Sequence, residues 1–129
     1  MKFLNIDNAK TTKGEDLGCL TGVMYLAPYK LSSKNVCPMA EMAQCHVGCL
    51  NTAGRGGMDK VQDSRLIKTE FFHDNKQSFM TELERQINVL LRQAHRKKLK
   101  PAIRLNGTSD LQWELIGYDR WGYYGTTND

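Results

Sequence analysis

The sequence predicts a small α/β domain: a βαβ core with parallel strands, a long amphipathic helix and an aromatic C-terminal tail. Three observations predict it. Thr21–Ala27 is a short apolar run closed by Pro28. Gln77–Lys98 carries apolar residues at three- and four-residue steps, and Pro101–Asn106 alternates like a strand before stopping at Gly107. A strand, a helical crossover and a second strand in that order imply parallel pairing with a right-handed connection.

The length of 129 residues fits a single domain over 1–129, or a short or truncated version of a longer family. It has room for one core and is too short for a full eight-stranded α/β barrel. A composition of 40% hydrophobic and 25% charged residues is that of a soluble globular chain. The formal charge of +4 permits an acidic partner without demanding one. After Met1-Lys2-Phe3-Leu4 come the polar Asn5 and Asp7, so no signal peptide or membrane span is expected, and the cytoplasm is the default location. In that compartment clustered cysteines serve more often as metal ligands or reactive thiols than as disulfides; an oxidising location reopens the disulfide reading.

Met1–Gly18 is polar and reads as a short strand or extended arm followed by a loop. The glycine and proline flanking Thr21–Ala27, with its Val and Tyr, favour a buried strand, with Cys19 just ahead of it. Pro28–Val36 is a loop. Pro38 suits a first helical position with Cys37 as its N-cap, and Met39–Leu50 consists largely of helix formers broken by Gly48. After the Asn51–Gly57 turn, a second helix from about Met58 to Phe72 carries Val61, Ile67 and Phe71 inward. His73–Asn75 breaks it, and Asp74 with Gln77 fits a capping box.

The strongest helix is Gln77–Lys98, with Phe79, Met80, Leu83, Ile87, Leu90, Leu91 and Ala94 along one face. Arg92, His95, Arg96, Lys97 and Lys98 crowd its end, where positive charge suits the helix dipole. Beyond Trp113 the tail carries Tyr118, Trp121, Tyr123 and Tyr124 among glycines.

Parallel strands send their C-terminal ends to one edge, where α/β folds bind ligands. The cysteine segment and the Asn106–Asp110 loop are expected to open there. Cys37, Cys45 and Cys49 follow the spacing C-x7-C-x3-C, so Cys45 and Cys49 share a helix face and can reach one ion. Thiolates suit zinc or an iron–sulfur centre, and a helix start favours the thiolate of Cys37. Cys19 is a weaker fourth ligand. One unbroken helix from Pro38 sets Cys37 roughly 12 Å from Cys45, so a shared metal requires a bend between Pro38 and Gln44. The plainer reading buries Cys45 and Cys49 as small apolar residues. His46 points off their face.

Arg55 in Gly54-Arg55-Gly56-Gly57 belongs either to an anion-binding nest or to a helix-stop turn. Arg104, Asn106, Thr108, Ser109 and Asp110 form either a ligand site at a strand end or a plain turn. The basic set Arg92, Arg96, Lys97, Lys98 and Lys100 is either a nucleic-acid contact or the solvated end of a helix.

Three stretches, L-T-G-V-M-Y-L-A-P (Leu20–Pro28), N-V-C-P with C-x3-C-L-N-T-A-G-R-G (Asn35–Gly56) and R-L-N-G-T-S-D-L-Q-W-E (Arg104–Glu114), resemble the phage gene product eighty-eight family. The resemblance runs from about Ala9 to Glu114 and implies little about activity, though it implies the cytoplasm of a host cell. The order of strand, three-cysteine loop, helix and strand ending in glycine is also similar to the opening of a radical S-adenosylmethionine barrel. That similarity implies Cys37, Cys45 and Cys49 as ligands of a [4Fe–4S] cluster, with S-adenosylmethionine at the end of the second strand. The chain departs from the C-x3-C-x2-C spacing of such enzymes and stops far short of a barrel.

The leading expectation is therefore a phage-type accessory protein that binds nucleic acid or a host protein, with a cysteine-rich segment able to hold a metal. The rivals are an iron–sulfur enzyme, or a fragment of one completed by oligomerisation, and a truncated inactive relative.

Overall fold

A computed structural model describes residues 1–113 of the chain. The aromatic tail beyond Trp113 lies outside the described residues. Strands β1 (Leu4–Asn5), β2 (Cys19–Met24) and β3 (Lys100–Arg104) form a sheet in that order. β2 and β3 are parallel, with Thr21 opposite Ala102 and Val23 opposite Arg104, as the βαβ pattern requires. β1 pairs antiparallel on the other side of β2.

The crossover from β2 to β3 contains α2 (Ala40–Ala43), α3 (Asp59–Asp74) and α4 (Lys76–Lys97). α4 buries Phe79, Met80, Leu83, Leu90 and Ala94 along the expected face, while Leu91 is 41% exposed and stands outside it. Phe3 stacks on Phe79 at 4.5 Å between ring centroids, with Phe71 and Phe72 edge-on to Phe79. This aromatic centre packs with Met24, Leu26, Val36 and Leu83 as the main core. Gln86 on α4 holds the two-residue β1 in place: its side chain accepts from Phe3 N at 2.7 Å and donates to the Met1 carbonyl at 2.8 Å.

Four local expectations are corrected. The segment read as a loop before Gly18 contains α1 (Ala9–Asp16). No apolar stripe marks this helix; reciprocal bonds start it, from Thr11 N to Asn8 Oδ1 (2.9 Å) and from Asn8 N to Thr11 Oγ1 (3.1 Å). The helix expected over Met39–Leu50 shrinks to the four residues of α2, ended by Gln44 in the left-handed region (φ 54°). Met42, Cys45, Val47, Cys49 and Leu50 are exposed, so the segment lacks the buried face that stabilises a helix in a protein. His46 instead stacks on Tyr29 at 4.9 Å and bonds the Ala40 carbonyl at 2.9 Å.

α3 turns a different face inward than hydrophobicity suggests. Ile67 is 52% exposed and Val61 and Phe71 are half-buried, whereas Arg65, Lys68, Thr69 and Phe72 are buried. Finally, α3 runs through Asp74, and the cap of α4 is Asn75, whose side chain accepts from Ser78 N at 3.1 Å. Among the described residues, no helix is long and apolar enough to cross a membrane.

The loop after β3 passes directly over the end of β2. A Cβ on Gly107 would lie 2.6 Å from the Met24 carbonyl oxygen and 2.6 Å from the Tyr25 ring, whereas one on Gly48 would meet nothing within 4 Å. Gly107→Ala is therefore expected to lower stability by about 1–3 kcal/mol, the range for an overpacked site, in urea unfolding. Gly48→Ala should change it by no more than about 0.5 kcal/mol, as at other open surface positions.

Candidate functional site

β2 and β3 end side by side at Met24 and Arg104, and the chain leaving each is tied to the other. Gly107 N donates to the Met24 carbonyl at 2.9 Å, the Thr108 hydroxyl donates to the Leu26 carbonyl, and Asp110 N donates to the Val36 carbonyl at 3.1 Å. Met39 N donates to Asp110 Oδ2 at 3.3 Å. Of the segment's cysteines, Cys37 reaches this rim. Its thiol accepts from Tyr29 N at 3.2 Å and faces the Thr108 carbonyl at 3.7 Å.

Cys37 is not the N-cap of a helix. α2 begins at Ala40 after Met39, and four residues supply little dipole to favour a thiolate. Burial instead raises the thiol's pKa, against the Tyr29 N–H; Asp110 and Cys49 add to the rise. Cys37 is thus a protonated thiol of the rim's interior at neutral pH.

Cys45 and Cys49 are exposed on the loop beyond Gln44, and all four cysteines are free. The chain turns at Gln44, which ends α2 in the left-handed region. Among the described residues, no group of three or more His, Cys, Asp or Glu side chains stands where it could hold a metal. Cys19 opens β2, about 16 Å of strand from the rim at roughly 3.3 Å per residue, so it cannot join Cys37 as a ligand.

Within the loop Asn106–Asp110 and the residues just after it, the Asn106 side chain is the hub. Asn106 Oδ1 accepts from Ser109 Oγ (2.9 Å) and Trp113 Nε1 (2.8 Å), and its Nδ2 donates to the Leu111 carbonyl at 2.9 Å. Arg104 is exposed, with Nε on the Asn106 carbonyl at 3.1 Å. Asp110 Oδ1 is the atom of this loop that is buried without a partner. Arg55 is exposed in a 3₁₀ turn, Gly54–Gly57, while its neighbour Gly56 packs inward.

Sequence reasoning missed the inward face of α3. Arg65, 7% exposed, donates to the Asn51 carbonyl at 2.7 Å and to Asn51 Oδ1, and its guanidinium lies 5.0 Å from the Tyr25 ring centroid. Gln62 ties Asn51 and Gly56 to the same helix. Thr69 accepts from Ala27 N and donates to the Arg65 carbonyl, both at 2.8 Å, which fixes α3 against the chain just past β2. Lys68 is 2% exposed and has no hydrogen bond or ion pair among the described residues. Burial, with the nearby Arg65 cation adding to it, lowers its pKa to about 8. The signal in the sequence was two cations three apart, Arg65 and Lys68, on one helix.

The basic set lies at the other end of the sheet. Arg92, Arg96, Lys97 and Lys98 close α4, and Lys100 opens β3 opposite Cys19. All five are exposed.

Fold and rim together define a small α/β protein whose parallel strand pair gathers two loops and a helix face at one edge. The chain matches the Gene product 88 family over residues 1–122, and it belongs to that family. No curated protein and no solved structure matches it.

Thiol labelling with a chromogenic disulfide at neutral pH should modify Cys45 and Cys49 at least tenfold faster than Cys37; equal rates would contradict the burial of Cys37. The amine of Lys68 has a second consequence. Between about 8 and its ordinary 10.5 the unfolded chain binds more protons than the folded one, so stability rises with pH across that window. The slope should approach about 1.4 kcal/mol per pH unit, and Lys68→Met should flatten it in denaturant titrations at stepped pH.

Proposed function

We propose that this protein binds nucleic acid through the basic edge formed by the end of α4 and the start of β3. One observation carries the reading. Arg92, Arg96, Lys98 and Lys100 are exposed without an acidic partner among the described residues, and Lys97 alone forms an ion pair, at 3.2 Å with Glu15. Exposed cations on adjacent helical turns and the neighbouring strand are spaced to follow a phosphate backbone, which supplies most of non-specific affinity.

A nucleic acid suits this edge better than a host protein does. Protein interfaces are organised around a buried apolar centre. The large apolar residues exposed on these elements, Leu91 and Ile103, are only 41% and 37% accessible and stand among charges. The same cations serve a single strand or a duplex, since phosphates are common to both.

Fluorescence polarisation with a labelled single-stranded oligonucleotide tests the proposal. Log affinity should fall linearly with log salt, with a slope near 0.7 per phosphate contacted. The double variant R96E/K97E should weaken binding at least tenfold in low salt. Unchanged affinity in that variant, or binding indifferent to salt, would remove this edge as the contact.

A further inference from the structure

We infer that the rim face of α3 is a binding site for a small anion, a phosphate or carboxylate group held by Lys68 and Arg65. The inference is independent of the basic edge, which lies at the opposite ends of the strands.

Arg65 and Lys68 sit three residues apart, so they project from the same face of α3 one turn apart. They are 7% and 2% exposed. Burying one cation without a counter-charge is costly, and burying two as neighbours adds their repulsion. Among the described residues, neither forms a salt bridge, and the charged neighbour that Lys68 feels is Arg65. Asp110, the acid of the rim, bears on Cys37 rather than on Lys68.

A purely structural role accounts for part of this arrangement. Through Nη1, Arg65 clamps Asn51 and so holds the turn before α3. That leaves its Nε buried with no acceptor, and among the described residues the Lys68 ammonium forms no hydrogen bond or ion pair. A buried methionine or leucine would fill the place of Lys68 at lower cost. Unspent donors on both cations are what an anion would use: Nε offers one N–H and the ammonium up to three.

The location agrees with the chemistry. Thr69, next to Lys68, bonds Ala27 just past the end of β2, and the Tyr25 ring under Arg65 is the ring that Gly107 must clear. The two cations therefore flank the C-terminal edge of the parallel pair, the side on which α/β sheets receive ligands.

The test uses the full chain, titrated with sodium phosphate and separately with sodium acetate at fixed ionic strength, followed by amide NMR shifts and thermal melting. Either anion should raise the melting temperature and shift amides of α3 around Arg65–Thr69. Preference for phosphate or acetate identifies the group. Lys68→Met, which keeps side-chain length and buries no charge, should bind at least tenfold more weakly while staying folded. R96E/K97E should bind as the wild type does. Binding of neither anion, equal binding by Lys68→Met, or loss of binding in R96E/K97E would each overturn the site.

Discussion

The parallel pairing of β2 with β3 is the constraint on which the rest depends. Because side chains alternate along a strand, its register fixes which residues meet the helices, and its polarity fixes which loops share an edge. Gly22, in the middle of β2, makes the close approach possible: a Cβ there would come within 2.9 Å of Leu90 on α4 and 3.3 Å of Leu4 on β1. With no side chain at that point, α4 lies down on the sheet, and Leu90 and Ala94 join Leu20 in a second small cluster.

From that pairing the molecule acquires two unlike edges. One receives the beginnings of β2 and β3 together with the end of α4, and it is polar, exposed and positive. The other receives the strand ends and is closed by backbone bonds to Met24, Leu26 and Val36. Positive charge appears at both, but in different physical states. At the first edge the cations are solvated and cost little. At the second, Arg65 and Lys68 have lost water, and the aromatic core around Phe79 must offset that loss. Two desolvated cations beside a strand edge cost stability there, which supports the anion site we propose.

Much of the fold was legible. α4 declared itself because its buried face is apolar and periodic, and β3 because it alternates and ends at Gly107. The joining of Cys37 to the Asn106–Asp110 loop followed from parallel strands alone. What escaped had other causes. α1 is held by a side-chain cap and has no apolar stripe, and the inward face of α3 is built from Arg65, Lys68 and Thr69, which hydropathy assigns to water. The cysteine segment looked helical by propensity, yet tertiary contacts of His46 and Tyr29 prevailed where Cys45, Val47 and Leu50 had no surface to bury. The turn-like residues of the rim, Asn106 and Ser109, were legible as a turn; that Asp110 keeps a buried unbonded oxygen depends on contacts no spacing reveals.

The most direct measurement is the set of proton–proton Overhauser contacts between β2 and β3 in isotopically labelled protein. Parallel strands in this register predict contacts linking the amide and α protons around Thr21 with those around Ala102, and a steady march along both strands toward Val23 and Arg104. Close α–α proton pairs running in opposite directions along the two strands would contradict the account, because the loops now gathered at one rim would then lie at opposite ends of the sheet.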